Sequence, residues 1–157
     1  MLLVVWHSRT GASRAMAEAI HNGAGKRARL IAARDVSPED LLAAEGYVFV
    51  GPENLAALSG AMKEMFDRCY YPVLGRIEGR AYASVIAAGS DGEGAQRQLD
   101  RIVTGWRLKR VAEPMIVNFA AQTPEAIMAA KRVPKANLLA CRDLGEAMSE
   151  GLRLGIF

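Results

Sequence analysis

Five short apolar runs, Leu2–Trp6, Arg29–Ala33, Gly46–Val50, Ala81–Ala88 and Val111–Asn118, alternate with helix-patterned stretches along the chain. No other feature constrains the fold as much. The clearest runs are continuously apolar rather than alternating, as in strands covered on both faces. Strands separated by helices predict a parallel, doubly wound α/β sheet with right-handed crossovers and helices on both faces. The chain has 157 residues and no linker, repeat or low-complexity stretch, so one domain over 1–157 is expected.

The helices announce themselves by caps and stripes. Residues 13–22 carry Met16, Ala19 and Ile20 on one side and stop at Gly23. Ser37-Pro38-Glu39-Asp40 starts a short helix with a capping Ser, Pro in the first turn and acids beside it. Ser59 opens a helix whose Met62, Met65, Phe66 and Cys69 share a face suited to core packing. Tyr70–Gly79, with Pro72, Gly75 and Gly79, reads as a loop. Ala95, Leu99, Ile102, Val103 and Trp106 mark a further helix. Glu113-Pro114 gives the fifth strand an edge position or an irregular start. Thr123-Pro124-Glu125 opens a short helix that Pro134 interrupts, and a last helix runs from Ala136 to about Leu152, with Ala140, Leu144, Ala147, Met148 and Leu152 inward.

The loops carry the chemistry. Leu2–Trp6 stops at Ser8-Arg9-Thr10-Gly11-Ala12-Ser13, and helical sequence follows at once. A strand, a turn bearing hydroxyls and Gly, and a helix N-terminus together hold phosphate well, through inward N–H groups, the helix dipole and hydroxyl donors. The same residues also suit an ordinary turn in which Ser13 caps a helix. With strand order 2-1-3-4-5, the loops at 7–13, 51–58 and 89–94 follow three neighbouring strands and converge on one crevice beyond their carboxyl ends.

Charge and cysteine usage narrow the classes. The net charge of +3 is spread without a Lys/Arg block, which suits anionic small molecules and gives no reason to expect nucleic acid. Cys69 and Cys141 lie far apart without CxxC spacing and read as reduced and buried, and no metal-ligand cluster is evident. No apolar run is long enough for a bilayer, the first is too short for a signal peptide, and a cytoplasmic location is expected. A low-molecular-weight phosphatase would need a Cys within Ser8–Ser13, and a phosphoacceptor receiver would need a carboxylate near residues 7–12; neither is present.

Taken in order, the motifs resemble those of the flavodoxin-like family, in its branch of NAD(P)H-dependent FMN reductases and WrbA-type quinone reductases. Ser8-x-Thr10-Gly11-x-Ser13 is similar to the flavodoxin phosphate loop. Pro52-Glu53-Asn54 with Ser59-Gly60-x-Met62-Lys63-x-x-x-Asp67-Arg68 resembles the reductases' second loop and helix. Gly75-x-x-x-Gly79-Arg80 resembles their lead into the fourth strand, and Gly89-Ser90-x-Gly92-x-Gly94 the loop under the flavin. The chain departs from the family in placing Asn54-Leu55 where an aromatic and Asn are common, and no aromatic stands in 51–58 or 89–94.

The resemblance implies a flavodoxin-like sheet, bound FMN, and electrons passing from NADH or NADPH through FMN to a quinone or similar small acceptor. It implies that Ser8, Arg9, Thr10, Gly11, Ala12 and Ser13 hold the phosphate, that Pro52, Glu53, Asn54 and Leu55 run along the isoalloxazine, and that Gly89, Ser90, Asp91, Gly92 and Glu93 hold the pyrimidine edge and ribityl chain. Hydride transfer to flavin needs no protein base, so no catalytic residue is expected. His7 reads as structural beside the phosphate loop. The reductase relatives imply a homodimer or homotetramer, with Tyr70, Tyr71, Val73 and Leu74 as a patch beside the site. The alternative within the fold is a flavodoxin-type electron carrier without its own substrate. A flavin-free interaction module is a further alternative.

Overall fold

The computed structural model describes residues 1–157. Its centre is one parallel sheet built on β1 (Leu2–Trp6), β2 (Ala28–Ala32), β3 (Gly46–Asn54) and β5 (Ala81–Ala88), in the order β2-β1-β3-β5. The fifth position, expected as one strand over 111–118, is shared by two pieces. These are β6 (Lys109–Arg110) and β7 (Met115–Asn118), both parallel to β5. The gap between them contains Pro114, which has no N–H for the ladder. Beyond that split the order 2-1-3-4-5 stands as expected.

The helices lie on both faces. Helices α1 (Ala12–Ala24) and α6 (Lys135–Leu154) pack together on one side. They cover a core that includes Val4, Met16, Ile20, Val48, Val85, Cys141 and Met148. On the other side α2 (Pro38–Ala43), α3 (Gly60–Val73) and α4 (Glu93–Gly105) enclose Leu3, Tyr47, Phe49, Met62, Phe66, Ile86 and Trp106. Strands β1, β3 and β5 feed alternate residues to the two cores, which is why they are apolar without a break. Each fully buried side chain of this size contributes about 1.5–3 kcal/mol to folding.

Three local readings change. Helix α3 runs on through Pro72 to Val73, so Tyr70–Val73 is helical rather than loop. Val73 is buried, whereas Tyr71 and Leu74 are exposed. On α6, Met148 is buried as expected, but Ala147 faces solvent, and Cys141, Gly145, Ser149 and Gly151 are the other buried positions. Strand β3 runs past Val50 through Pro52 to Asn54, because Gly51 and Pro52 pair with Ile86 and Ala87 of β5. No helix is long and apolar enough to cross a membrane.

Candidate functional site

The stretch 51–58 is a β-hairpin rather than a loop. β3 turns at Leu55-Ala56 and returns as β4 (Ala57–Leu58), antiparallel to Glu53 and Asn54. Both turn residues have positive φ, 52° and 60°. Two-residue hairpin turns of this kind favour Asn and Gly. The Leu55 side chain is nonetheless fully exposed, at 101%.

The hairpin, the first loop and the loop after β5 surround a cleft of about 890 Å³ at the carboxyl ends of the strands. This lies near the top of the range for small-molecule sites, about 300–1,000 Å³. From the first loop the cleft is lined by Ser8, Arg9, Thr10, Ala12 and Ser13; from the hairpin by Pro52, Glu53, Asn54 and Leu55; from the third loop by Gly89 and Ser90. Gly11, Asp91, Gly92 and Glu93 do not line it. Gly11 and Gly92 act behind the walls, as the residues that turn the chain into α1 and α4. His7 lies outside the lining, and its Nδ1 shares a 2.8 Å hydrogen bond with Ser59 Oγ. Burial, and secondarily the positive charge of Arg9, push the His7 pKa below its ordinary value.

The first loop leads into a helix N-terminus that carries no acid and no side-chain cap. Gly11 enters α1 at φ 97°, and its N–H donates to Ser8 Oγ at 3.1 Å. Ser13 is 1% exposed, and its Oγ has no hydrogen-bond partner. An unpaired buried hydroxyl costs about 1–3 kcal/mol, so a lone one on a cleft wall is free to pair with a bound group. Ser13 therefore does not cap the helix, and its hydroxyl and the uncapped α1 N-terminus are of a chemistry that suits an anionic group such as a phosphate.

The hairpin and the third loop are fastened together. Glu53 carries its carboxylate to the N-terminus of α4, accepting from Gly92 N at 2.8 Å and Ala95 N at 3.1 Å. Leu58 N donates to Gln98 Oε1 at 2.7 Å. Glu53 thus lines the cleft while its charge is spent on a helix.

A fourth wall was not anticipated from the sequence. Ala56 of the hairpin and Phe119, Ala121, Ile127, Met128 and Lys131, all after β7, also line the cleft. Phe119 N donates to Ala88 O at 2.8 Å, and Ala121 N to Gly89 O at 2.7 Å. Thr123 caps the short helix α5 (Pro124–Met128) through Ala126 N. Lys131 N then donates to Thr10 O of the first loop at 2.8 Å. Lys131 Nζ donates to the carbonyls of Ala126, Ile127 and Ala129, at 2.7, 3.0 and 2.6 Å. The segment is tied at both ends and its one lysine is committed.

Residues 32–122 match the family described as NADPH-dependent FMN reductase. A curated protein of Aquifex aeolicus named flavodoxin is 28% identical over 95% of this chain and 85% of its own length. Among solved structures, a flavodoxin from the domain Archaea superposes with a TM-score of 0.79 at 20% identity, over 97% of this chain and 98% of that one. A WrbA-like protein from Agrobacterium tumefaciens does so with 0.77 at 18%, over 98% and 97%. The two structures agree with this chain in fold.

Proposed function

Because the chain belongs to the NADPH-dependent FMN reductase family, we propose that it is an FMN-binding oxidoreductase. Its donor is NADH or NADPH, and its acceptor is a quinone or similar small molecule. The observation that carries this reading is the orphaned Ser13 hydroxyl, buried at an uncapped helix N-terminus on the wall of a large cleft. The terminal phosphate of FMN is the group that fits there, held by the α1 N-terminus and by Ser8, Thr10 and Ser13. When bound, FMN supplies two-electron chemistry: overall, NAD(P)H, one proton and a quinone give NAD(P)⁺ and a hydroquinone.

The protein's own contribution is to place and shield. The α1 turn fixes one end of the ligand. The Pro52–Leu55 hairpin and Gly89-Ser90 border the space for the ring, and Glu53 keeps those two walls at a set separation. No aromatic stands on either of these walls, so a flat face stays open to a second substrate. No side chain is assigned as an acid or base, since hydride transfer does not require one.

The competing reading is a flavodoxin-type carrier, which the Aquifex relative's name favours. Purified protein reconstituted with FMN separates the two. Anaerobic stopped-flow with NADH and with NADPH should bleach the flavin absorbance, and a quinone should restore it. If neither nucleotide bleaches fully loaded protein while an added flavoprotein reductase does, the chain is a carrier. Release of FAD instead of FMN would overturn the phosphate assignment.

A further inference from the structure

We propose that the outer surface where α1 and α6 begin is the docking face for an acidic one-electron redox protein, with Arg9, Arg132 and Lys135 as its contact residues. The inference rests on the FMN reading above and adds a protein partner to it.

The first observation is where the chain puts its bases. A helix N-terminus carries positive potential, so acids stabilise it and bases do the reverse. Helices α2, α4 and α5 follow this, with Glu39 and Asp40, Glu93, and Glu125 in their first turns. Helix α6 does not. Lys135 is its first residue, Arg132 comes just before it, no side chain caps it, and its first turn holds no acid. Helix α1, equally without cap or acid, has Arg9 on its approach and Arg14 in its first turn. The two helices pack together, and Lys131 N donates to Thr10 O at 2.8 Å. Arg9 and Arg132 therefore flank the bond that joins the two approaches.

The second observation is that the chain offers these bases no partner. Arg9, Arg132 and Lys135 are exposed, and none takes part in an ion pair. By contrast Arg14 is held by Glu18, and the Lys131 ammonium by three carbonyls. Helix α6 carries no acid before Asp143, about two turns beyond Lys135.

The third observation is direction. Arg9 lines the cleft, but Arg132 and Lys135 do not. A small molecule inside the cleft meets Arg9 alone, whereas a protein seated across its rim meets all three. Leu139, one turn after Lys135, is 57% exposed and adds an apolar contact to the same ridge. Unpaired bases around an apolar side chain complement a protein face that carries carboxylates. Electron-transfer encounters bury little, under about 1,200 Å² in total, and rely on charge for their approach, so a patch of this kind suffices. In such an encounter two reduced partners each give one electron, and two protons come from water, for each FMN reduced in the cleft.

The probes are a plant-type two-iron ferredoxin, which is acidic, and cytochrome c, which is basic. FMN-loaded protein is compared with the double variant Arg132→Glu, Lys135→Glu. The control is Arg97→Glu, Arg101→Glu, the same change of net charge on exposed residues of α4. Anisotropy of labelled ferredoxin reports binding. We expect the parent to bind ferredoxin at low ionic strength and release it as salt is raised. Affinity should fall about tenfold in the rim variant and about twofold or less in the control. Anaerobic reduction of bound FMN by reduced ferredoxin should slow in step. The FMN dissociation constant should stay within about twofold of the parent's in both variants, and cytochrome c should not bind. Four results each overturn the proposal: no salt-dependent ferredoxin binding, equal losses in the two variants, equal binding of cytochrome c, or tighter binding of duplex DNA than of ferredoxin. A raised KM for NADPH in the rim variant with ferredoxin affinity unchanged also overturns it, by assigning the bases to the nicotinamide donor. The anisotropy titration needs no turnover. A protein that oxidises no nicotinamide, or takes no FMN, fails the reading above, while the ferredoxin titration still decides this face.

Discussion

The N-termini of α1 and α4 open beside the same cleft on nearly the same backbone, and one is filled where the other is not. Gly11 has φ 97° and ψ −20°, and Gly92 has φ 95° and ψ −20°. At α4 the Glu53 carboxylate sits on the N–H groups of Gly92 and Ala95. At α1 no side chain caps the helix, and the buried Ser13 hydroxyl is unpaired. A helix N-terminus attracts an anion in either case. The chain supplies its own anion to α4, which welds two walls together. It leaves α1 uncapped, which is where the proposed function seats an anion from outside. On that proposal the same local geometry serves architecture in one place and binding in the other.

The two glycines give the largest contrast. A Cβ at Gly92 would overlap the Ile116 side chain, and the positive φ disfavours any other residue. Gly92→Val should cost about 3 kcal/mol or more, seen as a melting temperature lower by roughly 10 °C. At Gly11 the nearest atom to such a Cβ is Lys131 O at 4.0 Å, so only backbone strain is added. Gly11→Val should lose about 1–2 kcal/mol of stability, keep its far-UV circular dichroism, and bind no FMN at micromolar concentrations. If Gly11→Val binds FMN like the parent, α1 is not the anion site and the contrast is broken.

Little of this contrast was legible beforehand, and the reasons are physical. Gly11 and Gly92 look alike in the sequence, each in a polar turn before a helix. What separates them is a carboxylate 39 residues away from Gly92, a contact that no local pattern records. The strands were more readable. Leu2–Trp6 and Ala81–Ala88 carry their ends in the sequence because both faces are buried and polar or Gly residues bound them. The hairpin was hidden because Gly51-Pro52 reads as a break, although Pro52 stays in register with Ala87. Leu55-Ala56 has none of the Asn-Gly chemistry that marks such a turn. The wall after β7 was hidden for the opposite reason: Phe119, Ile127 and Met128 look like core residues, and only their exposure to the cleft reveals them. The order of motifs, by contrast, was enough to place the family.

Removing the anion from one site and the hydroxyl from the other should give effects of opposite sign on the folded state. Glu53→Ala leaves the N–H groups of Gly92 and Ala95 without their carboxylate. It should destabilise the protein by about 1–2 kcal/mol. It should also let inorganic sulfate reach α4, shifting the Gly92 amide resonance, which does not move in the parent. Ser13→Ala removes a buried hydroxyl that has no partner. Ligand-free Ser13→Ala should be as stable as the parent or up to about 1 kcal/mol more stable, while its FMN affinity falls about tenfold or more, the loss of one bond to a charged phosphate. A Gly92 amide that answers to sulfate in the parent would mean that Glu53 does not occupy α4.

The smallest effect concerns His7, which sits on the α1 side of the comparison. Its pKa lies below the ordinary value because burial disfavours the charged ring and Arg9 repels it. The unfolded chain therefore binds more protons than the folded one in the window between the lowered pKa and about 6.5. The stability tied to His7 is fully present above about pH 6.5. It is lost progressively as pH falls through that window, and the loss ceases below the folded pKa. In His7→Asn, which keeps a polar partner for Ser59, this slope should vanish, as denaturant unfolding at a series of pH values would report. Arg9 supplies part of the shift because no anion in this protein neutralises the α1 end. Sulfate bound at α1 should offset Arg9, raise the His7 pKa toward its ordinary value, and narrow the window. The His7 ring proton, followed by NMR with and without sulfate, reads that change directly. The ring should respond to sulfate alike in the parent and in Glu53→Ala, since the anion that matters to His7 is the one at α1. A His7 pKa indifferent to sulfate would place the bound anion away from Arg9.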